Sequence, residues 1–307
     1  MTSKVKTNLP ASILARLLAE SRKTGTDNQL ILAAYAYERF LARLAHSTVI
    51  ERFVLKGAML LRTWSDHPYR STRDLDFLRR GDAGVDAIRH DIETISAARV
   101  EPDGLEFDLD SLVLEPIRIE DEYGGTRATM RVYCGKVRIP IQIDIGIGDA
   151  VFPPPQLSRY ATILGMEEPE IYTYARETVV AEKLEAMIVL GERNSRIKDF
   201  FDIRYLAETF EFDRRVLRDA IRSTLSRRAT PIPVEDPIGM TAAYWENPMR
   251  PAQVRAFARR SGLAASVETG GEILSLIRSF LLPILDDVRG NLSCDGRWPP
   301  GGPWQAQ

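Results

Sequence analysis

Asp74 and Asp76 stand two residues apart in the segment Arg73-Asp74-Leu75-Asp76-Phe77. On a β-strand this spacing puts both carboxylates on one face and sends Leu75 and Phe77 into the core. Two acids side by side repel each other and are stabilised by a cation between them. Mg²⁺ (or Mn²⁺) suits carboxylate oxygens and keeps coordination positions for substrate phosphates. Upstream, Lys56-Gly57-Ala58 reads as a glycine turn leading into the apolar run from Ala58 to Trp64, a buried helix. The free backbone N–H groups at such a helix start form a phosphate cradle. An isolated Asp-x-Asp pair is more often a solvated edge-strand feature, so its chemistry depends on what accompanies it.

A third acid follows on a later strand. In Val137 to Gly146, Ile139, Ile141, Ile143 and Ile145 alternate onto one face and leave Asp144 on the other, near the end of an otherwise apolar strand. A buried charge needs a partner. Asp144 either shares a metal with Asp74 and Asp76 or is a solvated strand-end acid that helps Asp149 shape a turn. Further on, Arg176 to Leu190 has helical periodicity and ends at Gly191; it carries Glu182-Lys183-Leu184-Glu185, with Lys183 facing outward beside the acids. Arg193 to Arg204 opens another helix with Asp199 close to its start.

The elements that must position these groups are legible in outline. Pro10–Arg22 and a helix capped by Asp27 or Asn28 and running through Ala45 are amphipathic, and Phe53-Val54-Leu55 leads into the Gly57 turn. The strand with Asp74 and Asp76 is followed by a helix over Ala83–Ala98. Phe107–Ile119 and Arg127–Ile147 are β-rich, the latter folded as a hairpin at Cys134-Gly135-Lys136. Phe152-Pro153-Pro154-Pro155 marks the way out of the sheet domain. Beyond it the pattern is helical, with further helices at Asp213–Arg227, Pro251–Ser261 and Gly271–Leu285. The expected architecture is therefore α/β (α+β): a mixed-sheet domain with N-terminal helices over 1–155, a mainly helical domain over 156–285, and a loosely ordered tail over 286–307.

Composition narrows the function classes. The chain has 307 residues, 44% of them apolar and 27% charged, which is ordinary for a globular protein with a sizeable core. Its two cysteines, Cys134 and Cys294, lie far apart, which argues against a zinc site or a disulfide framework. The three histidines have no ligand-like spacing, and no nucleophile elbow accompanies them. No signal peptide or membrane-length apolar run is evident, so a cytoplasmic protein without membrane attachment is expected. The net charge of -2 gives no global sign of nucleic-acid binding. Locally, ten arginines (Arg214, Arg215, Arg218, Arg222, Arg227, Arg228, Arg250, Arg255, Arg259, Arg260) face four acids over 214–260, a pattern that fits a phosphate backbone and also fits solvated helix faces.

The ordered set of Leu55–Arg62, Arg70–Phe77, Ile143–Asp149, Glu182–Ala186 and Arg196–Asp202 resembles the AbiEii/AbiGii toxin family, which includes the MenT-like toxins, within the polymerase-β-like nucleotidyltransferases. The resemblance covers about half of the chain, from Phe53 to Leu206. It implies a polymerase-β-like nucleotidyltransferase domain in which Asp74 and Asp76 hold Mg²⁺. Asp144 is implied as the third acid, holding metal or accepting the proton of the attacking hydroxyl. Lys183 is implied on the triphosphate and Asp199 as an active-site acid orienting Lys183 or Arg196. Lys56, Gly57, Ala58, Ser71, Thr72 and Arg196 complete the implied nucleotide site. Ala58 departs from the family, which more often has glycine or serine there, so a hydroxyl contact is lost while the backbone donors remain.

The resemblance further implies the toxin of a toxin–antitoxin pair that moves a nucleoside monophosphate from an NTP to the 3′ end of tRNA and blocks translation. The implied antitoxin partner is an AbiEi-like winged-helix protein or a kinase-like one, and Ser71 or Thr72 is a possible phosphorylation point. Two other readings are compatible with the same residues: transfer to a protein hydroxyl, and a non-catalytic nucleotide- or RNA-binding module.

Overall fold

The computed structural model describes residues 8–65, 70, 72, 74–117, 124–261, 270–292 and 294–306. Ser71 lies outside them. The chain divides into two units: residues 1–148 with 156–173, and residues 149–155 with 174–307.

The first unit is built on a seven-stranded mixed sheet. In chain order it contains α1 (Leu9–Thr24), α2 (Asn28–Ala45), β1 (Phe53–Lys56), α3 (Leu61–Trp64), β2 (Leu75–Arg79), α4 (Val85–Ala97), β3 (Leu105–Pro116), β4 (Gly125–Cys134), β5 (Val137–Ile147), β6 (Gln156–Arg159) and β7 (Glu170–Thr173). The strand order is β3-β4-β5-β2-β1-β7-β6. β2 runs parallel to β5 and β1 parallel to β7, and the other neighbours are antiparallel. The helix starts follow their capping chemistry: the Asp27 carboxylate accepts from the N–H groups of Gln29 (2.8 Å) and Leu30 (3.4 Å), and Asn8 accepts from Ala11. The predicted hairpin forms at Gly135-Lys136, and the alternation of Ile139, Ile141, Ile143 and Ile145 becomes a buried face on which α2 packs.

Two expectations fail in this unit. The Pro153–Pro155 run is not a final exit, because the chain returns to add β6 and β7 to the sheet. The Ala58–Trp64 run is not one helix: a single 3-10 turn over Gly57–Leu60 precedes the four-residue α3.

Buried charge ties the helices to the sheet. Asp91 of α4, fully buried, accepts from Arg79 of β2 (Nε, 2.8 Å) and from Arg52 (2.6 Å). In α2, Arg39 lies fully buried among Glu38, Glu101 and Asp103, and Glu38 also accepts from the Ile163 N–H at 2.6 Å. Burial pushes the Glu38 carboxyl up to about 7, against the opposing pull of that N–H and of Arg39. The native state then holds a proton that the unfolded chain gives up near the ordinary value of 4.5. Stability therefore falls as pH rises between these two values, by roughly 3 kcal/mol over the window. Glu38→Gln should flatten this dependence in urea denaturation between pH 5 and pH 8; parallel pH profiles for the two proteins would refute it.

The second unit contains α5 (Arg176–Leu190), α6 (Ile197–Thr209), β8 (Phe212–Asp213), α7 (Arg214–Arg227), α8 (Ala242–Glu246), α9 (Arg250–Ser261), α10 (Gly270–Gly290) and β9 (Arg297–Trp298). The described residues of the segment expected to be a loose tail form regular structure and tertiary contacts. Residues up to Gly290 continue α10, and β9 pairs with β8. Trp298 is fully buried, donates to the Ala207 carbonyl at 2.7 Å and packs on Phe280, which also stacks on Trp304. Among the described residues, no helix is long and apolar enough to cross a membrane.

Candidate active site

The sheet brings the three predicted acids together. β1, β2, β5 and β4 pair so that Lys56, Asp76, Asp144 and Arg127 stand in one cross-strand row: Lys56 opposite Asp76, Asp76 beside Asp144, and Asp144 opposite Arg127. Asp74 immediately precedes β2 on the same face, where the Thr72 hydroxyl donates to its carboxylate. One ligand oxygen from each of Asp74, Asp76 and Asp144 lies within 4.8 Å of the others, and all three residues are half-buried. The side chains between them in sequence, Leu75, Phe77, Ile143 and Ile145, are buried on the opposite face.

Two close approaches shape this row. Gly57 has φ of +71°, and a Cβ built on it would sit 2.7 Å from the Asp76 Cγ. The glycine is thus required both by its left-handed backbone and by the carboxylate lying against it. Gly146 makes room for Lys56: a Cβ there would come within 3.3 Å of the Lys56 Nζ, so the ammonium reaches across β2 to β5 at Gly146. Gly57→Ala is expected to lower kcat/KM about a hundredfold by displacing Asp76, while the left-handed strain removes only about 1–2 kcal/mol of stability. Full activity in a folded variant would show that the Asp76 position is not critical.

Asp144 has a partner that sequence reasoning missed. Arg127 grips both of its oxygens, Nε to Oδ1 and Nη2 to Oδ2 at 2.8 Å each, and the Gln142 amide adds two longer contacts at 3.3 Å. The hydrogen bond to Asp144, with the charges of Asp74 and Asp76 behind it, raises the Arg127 pKa and keeps the guanidinium charged. Beneath the row, Tyr37 accepts the Gln142 N–H at 3.1 Å; burial raises its phenol pKa, reinforced by the three acids, and keeps it neutral. Three carboxylates thus face two resident cations, Lys56 and Arg127. Hard oxygen donors that converge in this way suit a divalent ion such as Mg²⁺ or Mn²⁺.

Lys183, Arg196 and Asp199 meet in the second unit. Lys183 does not face outward with the acids of its own helix. It turns to α6 and donates to Asp199 and pairs with Asp202, each at 2.7 Å, while Arg196 Nε reaches Asp199 at 2.7 Å. Burial pushes the Asp199 carboxyl up, but Lys183, Arg196 and Lys198 outweigh it and hold it below the usual carboxylate range. Glu185, from the same helical segment as Lys183, is buried and binds Arg228 (2.7 Å) and Thr230 (2.7 Å).

The arginine surplus over 214–260 is largely engaged inside the unit. Arg214 pairs with Asp287, Arg215 with Asp295 and Arg218 with Asp219. Arg228 binds Asp149, Glu182 and Glu185, Arg222 donates to Asn291, and the buried Arg250 donates to backbone carbonyls of Asn194 and Glu192.

The mixed sheet thus carries acids that converge from two neighbouring parallel strands. The family model described as nucleotidyl transferase AbiEii toxin, of type IV toxin–antitoxin systems, matches residues 39–267, and the chain belongs to that family. No curated protein matches the chain. Among solved structures, a Helicobacter pylori protein described as a candidate nucleotidyltransferase is similar over 87% of this chain and 99% of its own, at 14% identity and a TM-score of 0.50. JHP933 from Helicobacter pylori is similar over 86% of this chain and 95% of its own, at 14% identity and a TM-score of 0.47.

Proposed function

We propose that this toxin is a Mg²⁺-dependent enzyme that transfers a nucleoside monophosphate from an NTP to the 3′ end of tRNA. The observation that carries the reading is the convergence of Asp74, Asp76 and Asp144 beside Lys56 and the Gly57 turn. Asp74 and Asp76 would hold the metal with Asp144, and a bound Mg²⁺ would neutralise the triphosphate and the charge developing on it. In the transfer, the 3′-hydroxyl oxygen bonds to the α-phosphorus and the bond from that phosphorus to the bridging oxygen breaks. Pyrophosphate leaves, and the hydroxyl proton passes to a carboxylate of the triad, for which Asp144 is the candidate.

Lys56 and Arg127 supply fixed positive charge at this centre. Arg127 also orients Asp144, so it acts as a positioning residue. In the helical unit, Lys183, Arg196 and Asp199 are assigned to triphosphate binding as a linked set, in which Asp199 holds both cations. Of the two implied kinds of antitoxin, a kinase-like one would have a chemical route to this centre at Thr72. Its hydroxyl already bonds Asp74, so a phosphate there would set negative charge against the acids and suppress NTP binding.

Incubation with labelled NTPs and Mg²⁺, with tRNA or with total protein as acceptor, tests the reading. Label on the tRNA 3′ end supports it. Label only on protein moves the acceptor to a protein hydroxyl, and NTP binding without transfer would make the fold a non-catalytic module.

A further inference from the structure

We propose that Arg255, Arg259 and Arg260 on α9 form the face that grips the phosphate backbone of the acceptor RNA. The inference rests on the tRNA reading above and narrows it to three of the ten arginines in the basic region. Six of the others are engaged by the internal partners described, and Arg227 also has an interaction of its own. Arg255, Arg259 and Arg260 are exposed, and among the described residues none of them has an ion pair or side-chain hydrogen bond.

α9 is built as a rigid carrier for these charges. Its sequence, RPAQVRAFARRS, contains four arginines and no acid. Val254, Phe257 and Ala258 are buried; Val254 and Phe257 cluster with Ile197, and Phe257 lies 5.0 Å from Phe201, both on α6. Arg250 fixes the helix start through the Asn194 and Glu192 carbonyls and lies 3.7 Å over the Tyr244 ring. At 100° per residue, this inward face leaves Arg255, Arg259 and Arg260 on the outward arc. Like charges at i and i+4 destabilise a helix. The helix dipole offsets this for Arg259 and Arg260 in the last turn and does nothing for the mid-helix Arg255.

Uncompensated planar guanidiniums on a docked helix match phosphate oxygens, which they can bind in pairs. The first turn of α6, on which α9 sits, carries Asp199, which pairs with the preceding Arg196 and with Lys183 of α5, and the exposed Lys198 adds a further cation beside them. The cationic face thus packs on the same helix that carries Asp199 of that charged cluster.

Fluorescence anisotropy with labelled tRNA over a range of KCl concentrations tests the proposal. In the triple variant Arg255→Gln/Arg259→Gln/Arg260→Gln, the slope of log Kobs against log[KCl] should lose about two to three units, at 0.7–0.9 per phosphate contact. Affinity near 0.15 M salt should fall by about tenfold or more. Calorimetric NTP affinity should be unchanged. The triple lysine variant should keep the slope, and Arg222→Gln should leave it intact. A wild-type protein that binds RNA with a slope unaffected by the triple variant overturns this proposal alone. A wild-type protein without RNA affinity overturns the tRNA reading along with it. If the triple variant escapes the antitoxin while its RNA slope stays intact, α9 docks a protein and the proposal fails.

Discussion

Asp76→Asn should abolish nucleotidyl transfer, with kcat/KM falling at least about a thousandfold, which corresponds to about 4 kcal/mol of lost transition-state stabilisation. The size follows from its place in the row. Asp76 lies between Lys56 and Asp144 in the strand pairing, against the Gly57 turn, and asparagine keeps its shape while removing the charge that a divalent ion requires. The fold should tolerate the change, because the repulsion relieved among three like charges held within 4.8 Å of one another offsets the attraction to Lys56 that is lost. The metal-free variant should therefore melt near the wild-type temperature. Added Mg²⁺ should raise the wild-type Tm by linkage and leave that of the variant in place. A variant that retains both transfer and the Mg²⁺ response would remove Asp76 from the metal site.

Arg228→Ala should be the most damaging change in the helical unit, at about 3–5 kcal/mol. Arg228 is largely buried and meets three acids, with Nη1 2.7 Å from Glu185, and Nη2 3.0 Å from Asp149 and 3.4 Å from Glu182. Although burial works against its charge, these carboxylates outweigh burial and raise its pKa. Without the guanidinium the three carboxylates lose the positive charge they share in a poorly solvated site. Arg228→Lys supplies one compact charge in place of a planar fork and should recover only part of the loss. Urea denaturation followed by circular dichroism measures both variants; an Arg228→Ala protein within 0.5 kcal/mol of the wild type would show that the acids find other partners.

The acid centre was legible because strand periodicity and residue spacing carry the same information. The isoleucine alternation defined β5 and put Asp144 opposite its core face, and the i, i+2 spacing did the same for Asp76. Arg127 was within reach of the same logic. Counting outward from the Gly135-Lys136 turn pairs Cys134 with Val137 and, seven steps on, Arg127 with Asp144. β6 and β7 were not legible, because four-residue strands near a proline run give too short a pattern to read. The C-terminal aromatic packing has no period at all: Trp298 and Trp304 are held by tertiary contacts with Phe280. The arginine count misled in the other direction. Charge summed along the sequence does not register that Asp287, Asp295 and Asp149 return through folding to neutralise it.

Asp76 and Asp144 are register partners on adjacent parallel strands. Neighbouring strands repeat at about 4.8 Å, so the gap between these carboxylates is dictated by peptide hydrogen bonding and not by side-chain packing around them. The acid row thus inherits a ruler from the backbone. Drift that reshapes the surrounding helices or lengthens the connection between α3 and β2 leaves this interval unchanged, whereas a one-residue slip of β2 against β5 would turn Asp76 into the core and destroy the centre in a single step.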